Sequence, residues 1–168
     1  VNREEEIVSR LCGAFPFLTD RICVRQKNRI FTDPITREEF EQIIPFVHDQ
    51  LGFYRACHVV GTDDGDSIGL LYIFSDQDSI LLALRESVPK SDPQAKSICN
   101  LYPSIILHER EIIDLFGVMV KGLPNGPHYP LPDGWPEGNY PMRKDWDPKK
   151  FNKQTMKYEQ SGEAKENG

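Results

Sequence analysis

The chain has 168 residues, 39% of them hydrophobic and 27% charged, with a formal net charge of −6. That length suits one domain, or one domain with a tail, and the composition supports a modest core. An acidic balance is wrong for a binder of nucleic-acid backbones, which gains affinity by neutralising phosphates with Lys and Arg. No apolar run is long enough to span a bilayer. Val1 to Glu6 carries acids where a signal peptide needs a basic region, so secretion is not expected.

In chain order, Ile7, Val8, Leu11 and Cys12 form one stripe of a helix over residues 3–15. Residues 21–26 alternate, with Ile22 and Val24 on one side, and Ile30 to Thr32 forms a partner strand after a turn at Lys27-Asn28. Thr36 and Glu39 have the T-x-x-E spacing of a capping box, opening a second helix through Phe40, Ile43, Ile44, Val47 and Leu51. Pro45 is expected to kink or split it, and Gly52 to stop it. Three strands follow, over 54–61, 68–74 and 79–88; Ile68, Leu70, Tyr72 and Phe74 share a face of the second. Asp63-Asp64-Gly65-Asp66 between the first two reads as a hairpin turn. Its twelfth position is Phe74, not the Glu that a calcium loop needs. A polar loop over 90–94, a helical turn over 97–101 and a last helix over 104–116, stopped by Gly117, complete the body.

From Leu123 to Pro148 there are seven prolines, so neither a helix nor a central strand is expected. Trp135 and Trp146 in that stretch point to an ordered extended segment lying on a surface. The expected organisation is an α+β domain over 1–121, with helices on a mixed β-sheet, then an extended Pro/Gly-rich arm over 122–148 and a flexible tail over 149–168. Residues 1–141 hold 13 Lys/Arg and 21 Asp/Glu; residues 142–168 hold 7 and 5. The acidic body thus carries a slightly basic extension, and Gln160 to Gly168 has almost nothing to bury.

Catalytic signals are weak. Cys12, Cys23, Cys57 and Cys99 are dispersed, with no C-x-x-C pair for zinc or an iron–sulfur cluster, and are expected as reduced thiols packed mostly as small hydrophobes. No nucleophile elbow, phosphate loop or dinucleotide fingerprint is present. His48, His58, His108 and His128 are scattered. Cys57 and His58 are strand neighbours facing opposite ways, which rules out a dyad by adjacency. His58 reads as a satisfied core or edge side chain, and His48 as a polar-face residue of the second helix.

His108-Glu109-Arg110-Glu111-Ile112-Ile113-Asp114-Leu115-Phe116-Gly117 threads charges among large apolar residues. Arg110 and Asp114 are i,i+4 neighbours and are expected to pair. The choice lies between an amphipathic helix with a surface ion pair and a polar network at a buried joint, where each charge needs a partner.

The E-R-E-x-x-D-x-F-G run, followed by Tyr140-Pro141-Met142-Arg143-Lys144-Asp145, resembles the signature of the peripheral-arm subunit of respiratory complex I, the NADH-quinone oxidoreductase. The resemblance spans residues 36–148. Where complex I chains carry G-H-P-D-L-R-R, this chain reads Gly122-Leu123-Pro124-Asn125-Gly126-Pro127-His128, which is more similar to the homologous subunit of energy-converting membrane-bound nickel–iron hydrogenases and formate hydrogenlyase-type complexes. The resemblance implies a non-catalytic assembly subunit without cofactors of its own. It would be cytoplasmic, peripheral to the membrane through the complex, and docked on a hydrogenase-large-subunit-like chain beside an iron–sulfur subunit. Iron–sulfur clusters, and nickel–iron in the hydrogenase case, would sit in those partners. By motif, Glu109, Arg110, Glu111, Asp114, Gly117, Pro141, Arg143, Lys144 and Asp145 are the matching positions. Trp135, Tyr140, Arg143 and Trp146 are the expected contact anchors. The same charges would alternatively fasten the arm to its own domain. Readings of another class are a stand-alone small-molecule enzyme with an acidic cleft and a free adaptor domain using the tail as a peptide.

Overall fold

The computed structural model describes residues 2–158. Helix α1 spans Arg3–Ala14, α2 Arg37–Asp49 and α3 Ile106–Phe116. Strands β1 (Ile22–Gln26), β2 (Arg29–Thr32), β3 (Arg55–Asp63), β4 (Ser67–Ser75) and β5 (Leu81–Pro89) form one sheet in the order β1-β2-β5-β4-β3. Pairing is antiparallel except between β2 and β5, so the sheet is mixed and the α+β expectation holds. Strands β6 (Gln94–Lys96) and β7 (Met119–Lys121) pair in parallel, and β8 (Phe151–Asn152) and β9 (Lys157–Tyr158) form a small antiparallel pair.

The helices lie on one face of the large sheet. Ile7 and Leu11 of α1, Phe40, Ile43 and Val47 of α2, and Ile112 and Phe116 of α3 share a core with Ile30, Val59, Leu70, Tyr72, Phe74, Leu82 and Leu84. The Thr36/Glu39 capping box opens α2 as its spacing predicts, and α1 has a second one built by Asn2 and Glu5.

Several local expectations change. Pro45 lies inside α2, which stays one element; the buried Ile43, Ile44 and Val47 on either side of it hold the helix on the sheet. The chain reverses after α2 at Gly52, with φ +78°. Val24 lies opposite the buried Ile30, as expected, but on the edge strand β1 it stays 37% exposed. The turn expected over 97–101 forms, with the Leu101 and Tyr102 N–H groups donating to the Ile98 carbonyl at 3.1 and 2.9 Å, and a further helical turn, Pro103–Ile105, directly precedes α3. Cys99 is buried and Cys12 half-buried, but Cys23 and Cys57 are exposed on the two edge strands, so only two of the four thiols pack inside. The Asp63–Asp66 segment is the β3–β4 hairpin turn, closed by Asp64 N–H donating to the Ser67 carbonyl at 2.9 Å. Residues 149–158 contain β8 and β9; Gln160 to Gly168 lie outside the described residues.

Candidate functional site: a clamped arm

Helix α3 is the base on which the proline-rich arm is fixed. Its inner side presses on β3 where Gly61 leaves room: a Cβ there would run into Phe116 and Ile112. Glu109 is fully buried and accepts hydrogen bonds from Ser97 Oγ (2.5 Å), Ile98 N–H (3.0 Å) and Tyr72 Oη (3.4 Å). Burial raises its pKa, and these three donors oppose the rise. Glu109 therefore ties α3 to the sheet and to the loop after β6.

The outer side of α3 holds the arm. Asp114 is 7% exposed. Its Oδ2 accepts from the backbone N–H of Tyr129 (2.7 Å) and Leu131 (3.3 Å), while His128 Nδ1 lies 2.9 Å from Oδ1. The expected Arg110–Asp114 pair is not made. Arg110 Nη2 instead donates to the carbonyls of Pro124 and Asn125, both at 3.1 Å, with its guanidinium against Gly126. Two residues expected to pair on the helix thus each grip a separate part of the arm.

Gly117 ends α3 in the left-handed region at φ +67° and ψ +32°. Tyr140 packs where its Cβ would be. The Arg143 guanidinium stacks on Tyr140 at 4.6 Å, and Arg143 Nε donates to the Phe116 carbonyl at 2.7 Å. That carbonyl belongs to the last turn of α3, where backbone acceptors lack helical partners and cations are favoured. Pro141 is half-buried in the turn, and the next residue, Met142, donates its N–H to Leu115 O at 3.1 Å.

The final anchor is Asp63, at the end of β3. Lys90 Nζ and the Lys144 backbone N–H donate to its Oδ2 at 2.7 and 2.8 Å. The Lys90 ammonium first, then the Lys144 N–H, hold the Asp63 carboxyl well below the usual carboxylate range. Asp145 is 67% exposed, 3.7 Å from Lys90, in a position to contribute little. Beyond this anchor, Trp135, Trp146 and Phe151 pack together with ring centroids 4.6–6.0 Å apart, and Tyr158 joins Trp146 at 5.8 Å. Trp135 Nε1 donates to Asn139 O at 2.7 Å and Trp146 Nε1 to Asn139 Oδ1 at 3.3 Å.

Residues 34–152 match the family described as respiratory-chain NADH dehydrogenase, 30 Kd subunit. The chain belongs to that family. Among relatives of this 30 Kd subunit, a subunit of the F(420)H(2) dehydrogenase of Methanosarcina mazei is 26% identical over 144 residues, covering 84% of this chain and 90% of that protein. The membrane-bound hydrogenase subunit beta of Pyrococcus furiosus is 27% identical over 115 residues, covering 66% of each chain. In fold, the chain is similar to a chain of the membrane-bound sulfane sulfur reductase, an archaeal respiratory membrane complex. The TM-score is 0.76 at 20% identity, over 87% of this chain and 86% of that one. Among the described residues no helix is long and apolar enough to cross a membrane.

The family signature is thus gathered at one place. Glu109, Arg110, Asp114, Gly117, Tyr140 and Arg143 meet along α3, and Lys144 meets Asp63. Glu111 stays half-buried on α3, its charge acting on His108. Trp135 and Trp146 lie in the separate aromatic cluster. Sequence reasoning missed Asp63 as an anchor, since its place in the Asp63–Asp66 run reads as part of a hairpin turn. It also missed the contact between His58 and His108, whose Nδ1 atoms are 2.7 Å apart. Nothing in the sequence links positions 50 residues apart.

Proposed function

We propose that this 30 Kd-type chain is a non-catalytic structural subunit of a complex I-like, membrane-associated oxidoreductase. It docks on the hydrogenase-large-subunit-like chain, next to an iron–sulfur subunit, on the cytoplasmic side. It carries no electrons; iron–sulfur clusters, and nickel–iron in the hydrogenase case, belong to the partners. The observation that carries this reading is the use made of the signature side chains. Glu109, Asp114 and Arg143 spend their hydrogen-bonding groups on the chain's own backbone and side chains: Glu109 fixes α3 to the body, and Asp114 and Arg143 fix the irregular arm to α3. A pre-ordered surface binds without the entropy cost of ordering it at the moment of contact.

The altered Gly122–His128 turn and the hydrogenase relative favour an energy-converting hydrogenase. The family description supports the second reading, the same subunit in an NADH-quinone oxidoreductase. A tagged chain purified from its own cells should bring a large-subunit homologue in equal amount; a chain that comes away alone while that homologue is abundant contradicts the proposal. Arg110→Ala, which frees the arm at Pro124 and Asn125, should lower the yield of assembled complex more than the turnover of complexes that do assemble. Full assembly with lost turnover would contradict the structural role.

A further inference from the structure

The large sheet has two faces, and the helices cover one. The register puts Phe31, Val60, Leu71, Ile73, Leu81 and Ala83 on the other. They adjoin one another: Phe31 lies opposite Ala83, Ala83 opposite Ile73, and Leu71 opposite Val60. All are half-buried except Ala83, which its neighbours bury. A sheet with one solvated face normally alternates apolar and polar residues, whereas a sheet covered on both sides has strands that are apolar throughout. Strand β4 is of the second kind over its middle, Leu70-Leu71-Tyr72-Ile73-Phe74. Leu71 and Ile73 on its outer side have no call to be apolar in water.

Apart from Asp64 of the hairpin turn, which Arg85 neutralises, the charge on this face is positive. The charged strand residues here are all arginines: Arg25, stacked on Phe31 at 5.1 Å, Arg29 opposite Leu81, Arg55 opposite Ser75, and Arg85. Arg85 pairs with Asp64 of the hairpin turn at 2.8 Å. The acids of these strands, Asp63 and Glu86, point to the helix side. This is a cationic rim on a chain of net charge −6.

We propose that this open sheet face is a docking surface for a neighbouring subunit that presents an apolar patch rimmed by aspartates and glutamates. The inference rests on the complex-subunit reading and names the chemistry of one partner. Two other occupants fit poorly. The segment beyond the described residues, 159–168, offers Ala164 as its one apolar side chain and cannot fill the patch. A second copy meeting this face through a twofold axis would set arginine against arginine.

The test compares wild type and Leu71→Glu for incorporation into the complex in cells that make all its subunits. Leu71 is outside the helix-covered core, so the isolated variant should keep the wild-type circular dichroism and unfolding midpoint. An unpaired charge in the buried patch should cut incorporation by more than about tenfold. The exposed Cys23, opposite Phe31, gives a readout on the unmutated protein. Its alkylation, mapped by mass spectrometry, should be at least about tenfold slower in the complex than in the isolated chain. Normal incorporation of Leu71→Glu, or equal Cys23 labelling in both states, overturns the inference and leaves the subunit reading standing. A wild-type chain that enters no complex overturns both. An isolated wild-type dimer that Leu71→Glu disperses also overturns it, since a second copy would then be the cover.

Discussion

Gly117 meets two demands together. Its φ of +67° suits a residue without a Cβ, and the Tyr140 ring occupies the place of one. Gly117→Ala should therefore cost about 2 kcal/mol or more, read as a lower urea midpoint with unchanged slope. Glu86 poses a different problem. It is fully buried on the helix side of β5, and neither carboxylate oxygen has a hydrogen-bond partner among the described residues. Burial, with Glu41 adding repulsion, pushes its pKa up to about 8. A raised carboxyl pKa means that the unfolded chain releases the proton first. Its contribution is intact below about pH 4.5 and is lost as pH rises towards 8. Asp63 has the opposite sign: its folded pKa is depressed, so its contribution is present above the ordinary Asp range and lost on acidification. Glu86→Gln should remove the alkaline loss and gain about 2–4 kcal/mol over wild type at pH 8.5, with a much smaller difference at pH 5. Denaturant titrations at both pH values check this; parallel pH profiles would refute it.

The arm holds its course because α3 and the end of β3 supply anchors along it: Arg110 for 124–125, Asp114 for 128–131, Gly117 and the Phe116 carbonyl for 140–143, and Asp63 for 144. Asp114→Ala removes the acceptor for two backbone N–H groups and should raise the rate of limited proteolysis within 122–148 by about tenfold or more, while the sheet stays protected from hydrogen exchange. Sequence periodicity was enough to place α3, its glycine stop and the capping box of α2, because each depends on neighbours within four positions. It was enough for β4 and β5 because their inner faces alternate. It could not show β6 and β7, three residues each, whose partners are distant in the chain. It also misassigned Arg110 and Asp114: the i,i+4 spacing allows an ion pair, but carbonyls and N–H groups of the folded-back arm offer partners that sequence spacing does not reveal. Pro45 fails for the same reason, since the local cost of a proline is offset by the packing of Ile43, Ile44 and Val47.

Taken as one body, the chain binds to itself through the buried acids Asp63, Glu109 and Asp114 and through Arg110 and Arg143, whereas Arg25, Arg29 and Arg55 of the open sheet face make no ion pair among the described residues. A stand-alone enzyme with an acidic cleft would need its carboxylates free to meet a substrate; here Asp63, Glu109 and Asp114 accept internal hydrogen bonds. The chain belongs to the family of the respiratory-chain NADH dehydrogenase 30 Kd subunit, and one of its relatives is a membrane-bound hydrogenase subunit. What the chain contributes inside such an assembly is therefore the deciding question. Native mass spectrometry of the complex purified through this chain, followed by gas-phase release of the chain, answers it. We expect one copy per large-subunit homologue, released at the mass of the bare polypeptide. A released chain that keeps stoichiometric iron, nickel, flavin or nicotinamide, or that is never found with another subunit, would contradict a structural role.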